Sequence, residues 1–191
     1  MSVIHVDQTL DCRGLACPMP IVKTKKAMSA IHSGQVIEVL ATDKGSLADF
    51  QAWASNTGHQ YLGTVHEGNV LKHFIRKANP DEVKEELKYM HTVTNGELLR
   101  RIEANEKLTV IDVREPAEYA FNRIPGAVSI PFGDLEQRWH ELDPNQTFYM
   151  ICRTGNRSDR ACQLLADKGF TAVANVLNGM SDWSGPTESN Q

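Results

Sequence analysis

Two thiols carry the chemistry this sequence offers. An apolar run, Phe148-Tyr149-Met150-Ile151, ends at Cys152, Arg153-Thr154-Gly155-Asn156-Arg157 follows, and a helical pattern begins at about Ser158. A cysteine between a strand's carboxyl end and a helix start stands where open α/β sheets bind ligands. Loop N–H groups and the helix N-terminus would face its sulfur and stabilise a thiolate, a persulfide or an oxyanion. Such surroundings make a thiol nucleophilic at neutral pH, so Cys152 is the candidate nucleophile. The second thiol lies in Gly14-Leu15-Ala16-Cys17-Pro18-Met19-Pro20. Proline suits the first helical position, which predicts Cys17 as the helix N-cap with its sulfur at the positive end of the dipole. Lys23, Lys25 and Lys26 add positive potential further along, on what reads as a solvated helix face.

The other two cysteines read differently. Cys162 falls among Ala161, Leu164 and Leu165 on a helix and reads as a small buried hydrophobe. Cys12 precedes Cys17 by five positions and, besides packing, leaves open a disulfide with Cys17, half of a metal site, or a resolving thiol that strips sulfur from Cys17. The nearest histidines, His5 and His59, make no recognisable ligand array, so neither a metal nor a cofactor is expected. Four scattered thiols form no disulfide framework, and a reducing cytoplasm would not keep one.

The elements that must position these residues fall into two groups. Residues 1–78 read as strand, helix, strand, helix and hairpin: His5–Leu10, Pro18–Ile31, Gln35–Ala41, Ser46–Asn56, and Gln60–Val65 with Val70–Arg76 around Glu67-Gly68-Asn69. That βαβαββ order predicts a two-layer sandwich, with Asp43 as a helix cap. Residues 79–92 carry Glu/Lys pairs at helical spacing and read as a charged, helical linker. In residues 93–186, short apolar strands at Leu108–Val113, Thr147–Ile151 and Val173–Leu177 alternate with helices starting at Thr94, Pro116, Gly133 and Ser158. That alternation predicts a parallel sheet covered on both faces, an α/β class. Residues 187–191 read as a flexible tail.

Composition bounds the function classes. The 191 residues are 41% apolar and 23% charged, which suits a soluble globular chain of one or two domains. Residues 1–78 hold eight basic and six acidic side chains, and the remainder twelve and eighteen, so charge changes sign near Pro80. With a net charge of -4 there is no electrostatic footprint for nucleic acid, and no apolar stretch approaches a membrane span. A cytoplasmic protein whose partners are neither nucleic acid nor membrane is expected.

Two family resemblances sharpen this. Over residues 93–186 the Cys152 loop, Val110-Ile111-Asp112-Val113-Arg114-Glu115, Ile124-Pro125-Gly126-Ala127 and Leu177-Asn178-Gly179-Met180-Ser181-Asp182-Trp183 together resemble the rhodanese sulfurtransferases, with Asn122-Arg123 where that family often has Gly-His. The resemblance implies a three-layer α/β/α domain in which Cys152 takes sulfane sulfur and holds it as a persulfide. Arg153, Thr154, Gly155, Asn156 and Arg157 would shape the pocket, Arg153 and Arg157 would orient an anionic donor, and Asp112 with Arg114 would hold the neighbouring loop. Four residues separate Cys152 from Arg157, one fewer than in cysteine-type phosphatases, so the loop suits one added sulfur better than phosphate. Over residues 5–78, Gly14-Leu15-Ala16-Cys17-Pro18-Met19-Pro20, Ala41-Thr42-Asp43-Lys44-Gly45-Ser46 and Trp53 with Gly58-His59 resemble the TusA/SirA-like sulfur carriers, which implies a sulfur-accepting Cys17.

The reading that unites these is a sulfurtransferase. Sulfur from thiosulfate, glutathione persulfide or a protein persulfide would load Cys152 and pass to Cys17 or an external thiol, by exchange of the thiol–disulfide type. Fusion in one chain raises the effective concentration of one thiol near the other to about the millimolar range. The alternatives are an adaptor that binds a partner without turnover, and a phosphatase-like activity.

Overall fold

The computed structural model describes residues 4–79, 82 and 87–190. The chain divides into two compact units, one through residue 80 and one from residue 81 to residue 189.

The first unit is the predicted sandwich. Strands β1 (Gln8–Asp11), β2 (Val36–Ala41), β3 (Gln60–Glu67) and β4 (Val70–Arg76) form a sheet in the order β1-β2-β4-β3. The β1–β2 pair is parallel and the others are antiparallel. Helices α1 (Met19–Ala30) and α2 (Ser46–Thr57) supply the second layer. Because side chains alternate along β2, Ile37 and Val39 reach the helix side, where they pack with Met28, Phe50, Ala54 and Ile75. Helix α2 ends at Gly58, whose φ of 73° is the left-handed conformation that closes a helix at little cost for glycine.

The second unit is a five-stranded sheet of order β5-β9-β8-β6-β7, parallel throughout. Its strands are β5 (Thr92–Val93), β6 (Thr109–Asp112), β7 (Val128–Ser129), β8 (Phe148–Ile151) and β9 (Val173–Val176). Helices α3 (Asn95–Glu103), α4 (Pro116–Phe121), α5 (Phe132–Arg138) and α6 (Asn156–Asp167) cover it. Alternation along β8 feeds two cores. Phe148 and Met150 join Leu135 and Leu165 on one face, and Tyr149 and Ile151 join Leu98 and Met180 on the other. Truncating a buried side chain such as Met150 to alanine costs about 2–5 kcal/mol. A capping box fixes where α3 starts: Glu97 N–H donates to Thr94 Oγ1 at 3.2 Å and Thr94 N–H to Glu97 Oε2 at 2.7 Å.

Four details depart from expectation. The two-residue edge strands β5 and β7 carry too little pattern to be read from sequence. Helix α6 begins at Asn156, two residues early, so Arg157 belongs to the helix and not to the loop. Of the helical linker expected over 79–92, residues 80, 81 and 83–86 lie outside the described residues, and residues 87–91 are not helical. Its last part belongs to the second unit, where Lys88 and Tyr89 N–H groups donate to the Asp159 carboxylate and Thr92 pairs with Asn175. The tail expected to be flexible from 187 is held at Glu188, which exchanges two backbone hydrogen bonds with Arg123 and accepts its Nε at 2.9 Å.

Candidate active site

Cys152 follows β8 directly, and the turn to α6 brings two donors to its sulfur. Gly155 N–H donates to Sγ at 3.2 Å and Ser158 Oγ at 3.3 Å. The turn needs glycine twice. Gly155 has φ 99°, and Gly179, at φ 55°, lies so near that a Cβ there would stand 2.2 Å from the Cys152 carbonyl oxygen. That close approach lets Met180 and Ser181 N–H groups donate to the Cys152 and Arg153 carbonyls at 2.8 and 2.9 Å. Cys152 itself is 1% exposed and contributes to the core on the α5–α6 side.

Behind the sulfur lies Asn175 of β9, fully buried, which sequence reasoning passed over. Its Nδ2 donates to the Gly155 carbonyl at 3.1 Å and its Oδ1 accepts from Ser158 Oγ at 2.6 Å. The Ser158 hydroxyl has one proton and two acceptors, so it serves Asn175 while Cys152 is a thiol and turns to Sγ when the sulfur is anionic. The signal was present: one amide in an otherwise apolar strand, Val173-Ala174-Asn175-Val176.

The two arginines differ in exposure, Arg153 half-buried and Arg157 buried, and both face carboxylates. Arg157 is buried, and its Nη1 and Nη2 donate to the two oxygens of buried Glu118 at 2.9 and 3.2 Å. Burial opposes the Arg157 charge, but Glu118 by attraction and hydrogen bonding, then Cys152 and Glu82, raise its pKa above the usual arginine value. Arg153 faces Glu82 at 3.5 Å. Thr154 and Asn156 turn their side chains to the Glu82 carbonyl at 2.7 and 2.6 Å. Asp112 and Arg114 form a buried pair, Nη2 to Oδ2 at 2.6 Å, and Arg114 also donates to the Asn122 carbonyl, tying the loop before Ile124 to the end of β6. Glu82, Glu118 and Asn175 are thus site residues absent from the sequence reading.

In the first unit Cys17 is exposed and Cys12 fully buried, both as free thiols. The N-cap of α1 is Pro18, not Cys17. Cys17 shares a narrow cleft with Asp43, Ser46 and Asp49. Hydrogen bonding to Asp49, some desolvation and repulsion from Asp49 and Asp43 raise the Cys17 pKa, the reverse of the helix-dipole expectation. Asp43 does not cap α2, whose N-cap is Gly45; its Oδ1 accepts the Gly45 N–H at 3.1 Å. Burial likewise raises Cys12, which packs with Met28, Ile37 and Phe50, and Cys162, which is enclosed in the second unit. Among the described residues no group of three or more His, Cys, Asp or Glu side chains is placed to hold a metal, and no helix is long and apolar enough to cross a membrane.

A cysteine loop at the carboxyl end of a central parallel strand in one unit, and in the other an α/β sandwich with an exposed cysteine before a proline-rich helix start, define a rhodanese-like domain joined in sequence to a sulfur-carrier domain. Residues 94–186 match the family model for rhodanese-like domains, and residues 8–77 that for sulfurtransferase TusA. The chain belongs to the family of TusA–rhodanese fusions. It is 47% identical over 179 residues to the Bacillus subtilis (strain 168) protein named "Putative sulfur carrier protein YrkF", spanning 94% of this chain and 96% of that one. Its first unit is 46% identical over 72 residues to sulfur carrier protein TusA of Allochromatium vinosum, 38% of this chain and 95% of the relative. A rhodanese-like domain protein from Staphylococcus aureus matches with a TM-score of 0.50 and 27% identity, over 53% of this chain and 100% of that structure. The chain is accordingly a sulfur-transfer protein, a sulfurtransferase with a carrier domain.

Proposed function

We propose that Cys152 accepts sulfane sulfur as a persulfide and passes it to Cys17 or to an external thiol. The donors are thiosulfate, glutathione persulfide or a protein persulfide, and the setting is the cytoplasm, where the four thiols stay reduced. One observation carries the reading: the Gly155 N–H and the Ser158 hydroxyl converge on one sulfur at the end of β8. A fixed amide and a hydroxyl able to turn to the sulfur suit an atom that must hold negative charge as nucleophile and as leaving group. In the loading step the Cys152 thiolate attacks the outer sulfur of the donor, the donor's S–S bond breaks, and its electron pair leaves on sulfite or on the donor thiolate. In the relay step the Cys17 thiolate attacks the terminal sulfur of that persulfide and Cys152 leaves as the thiolate.

The test is intact-mass analysis of the full chain and its four single cysteine-to-serine variants after loading with thiosulfate or glutathione persulfide. One added sulfur in wild type, absent in Cys152→Ser, is expected. Sulfur reaching Cys17 as readily in Cys152→Ser as in wild type would end the relay. A second reading, a partner-binding adaptor without turnover, draws on the 1% exposure of Cys152. Absence of Cys152-dependent sulfide or thiocyanate formation from every small donor would favour it.

A further inference from the structure

Glu82 has no part in the sulfur chemistry above, yet it stands at the Cys152 turn. It is 3% exposed. Its carbonyl accepts from Thr154 Oγ1 at 2.7 Å and Asn156 Nδ2 at 2.6 Å, so the turn side chains hold its backbone in place. That anchorage aims the carboxylate at both arginines: Oε2 lies 3.5 Å from Arg153 Nη1 and Oε1 lies 3.8 Å from Arg157 Nε. Arg157 Nε is buried and has no hydrogen-bond partner among the described residues, so the carboxylate opposite it supplies charge without a hydrogen bond.

The charge balance sets the chemistry. Arg157 is already engaged by both oxygens of Glu118 and has Glu115 at 3.8 Å, and Arg114 is closed onto Asp112. Among the described residues, two arginines therefore face three carboxylates, Glu82, Glu115 and Glu118, in the ion pairs of this turn, before the thiolate of Cys152 is counted. A dianionic donor entering here finds both arginines already facing carboxylates, and its oxygens must compete with Glu82 for Arg153. A donor without charge beside its sulfane sulfur meets neither obstacle, since burial penalises the unpaired charge and not the neutral group.

We propose that Glu82 is a specificity-determining residue of the Cys152 site, an internal carboxylate that occupies the place of a donor's anionic group, so that the site selects persulfides on uncharged stems over thiosulfate. The proposal rests on Cys152 being the sulfur acceptor. For a persulfide R–S–SH, the Cys152 thiolate attacks the outer sulfur, the donor's S–S bond breaks, and its electron pair departs on R–S⁻, leaving Cys152 as the persulfide. For thiosulfate the same attack expels sulfite and leaves the Cys152 persulfide anion. The two reactions differ at this site in the charge that must be brought beside Glu82.

Glu82→Gln keeps the backbone anchorage and the shape and removes the charge; Glu82→Ala removes the side chain. Both are made in the full chain. Sulfate, an anion with no sulfur to give, is titrated at low ionic strength and followed by the amide chemical shifts of residues 153–158. Kinetics compare thiosulfate with the persulfide of 2-mercaptoethanol. In both variants sulfate is expected to bind at least tenfold more tightly. The ratio of thiosulfate to persulfide kcat/KM is expected to rise at least tenfold, with the gain carried by the thiosulfate KM. Equal or weaker sulfate binding in both variants overturns the proposal whatever the turnover, and so does an unchanged ratio. Tighter sulfate binding with no sulfur transfer from either donor, in wild type or variants, overturns instead the role of Cys152 as acceptor and leaves the exclusion of anions standing.

Discussion

Cys152 and Cys17 each follow a sheet strand and precede a helix, yet their surroundings are opposite. Cys152 is enclosed, with an amide and a hydroxyl aimed at its sulfur and two arginines behind balancing carboxylates. Cys17 is exposed, with two carboxylates in its cleft and a pKa raised chiefly by hydrogen bonding to Asp49. The place of a thiol in the fold therefore does not fix its surroundings; the groups that arrive from other elements do. The enclosed sulfur meets hydrogen-bond donors, whereas the exposed one meets carboxylates that raise its pKa. That contrast suits a site that loads and a site that delivers.

The largest effect expected is on turnover. Cys152→Ser should lower sulfur release from thiosulfate or persulfide by at least about a thousandfold, as removal of a nucleophile does. Cys17→Ser should still form the Cys152 persulfide, detected by intact mass, and lose delivery to a protein thiol. Equal losses of loading in the two variants would erase the division between the sites.

Next in size is the buried ion pair that holds α6 to α4. Arg157→Met removes the ion pair of buried Glu118 and should cost about 3–5 kcal/mol in urea unfolding of the second unit. Adding Glu118→Met should return a large part of that loss, because it is the buried charge that is costly. A double variant as unstable as the single one would show instead that the two side chains matter for shape.

How far this was legible in the sequence differs between the sites for a physical reason. The helices and strands of both units follow from local periodicity, so β2, α2 and β4 fall where the alternation puts them, within a residue or so. The Cys152 loop was legible because its parts are contiguous: strand end, Gly155 and helix start lie within a few positions. Asn175, Glu118 and Glu82 reach that loop from 23, 34 and 70 positions away, and only the sheet order reveals their approach. The Cys17 environment was misread on the same ground. The helix start is local and suggests a stabilised thiolate, whereas Asp49 arrives from α2 and decides the matter.

A buried histidine beneath the Cys17 cleft yields the next prediction. The Ser46 hydroxyl donates to the Asp43 carbonyl at 2.6 Å, so it accepts from His73 Nε2–H at 2.9 Å, and Nδ1 accepts from Tyr61 O–H at 2.8 Å. Burial, with a smaller contribution from His66, lowers the His73 pKa from 6.5 to about 4. The unfolded chain then takes up this proton first as pH falls. The stability it represents is complete above about pH 6.5 and is lost between there and pH 4. Urea midpoints of the first unit, followed by amide exchange of β2 and β4, should fall with a slope of up to about 1.4 kcal/mol per pH unit across that window. A flat profile there, or a slope that persists in His73→Gln, would remove His73 as its source.

The smallest effect bears most directly on the contrast between the thiols. Asp49 is the first cause of the raised Cys17 pKa, by accepting the thiol proton in a hydrogen bond and by repelling the thiolate. Asp49→Asn removes the repulsion and offers an amide in place of the acceptor, so the thiolate should form at lower pH. The pH profile of Cys17 alkylation by iodoacetamide, resolved from the other cysteines by peptide mass, should move to lower pH in that variant, and Asp43→Asn should move it in the same direction by less. If Asp49 also takes the proton as Cys17 attacks a persulfide, the delivery rate in Asp49→Asn will fall at neutral pH although its thiolate fraction has risen. Alkylation and delivery changing in the same sense would mean that Asp49 only sets the charge of the sulfur, and a profile unmoved in both variants would mean that it does not even do that.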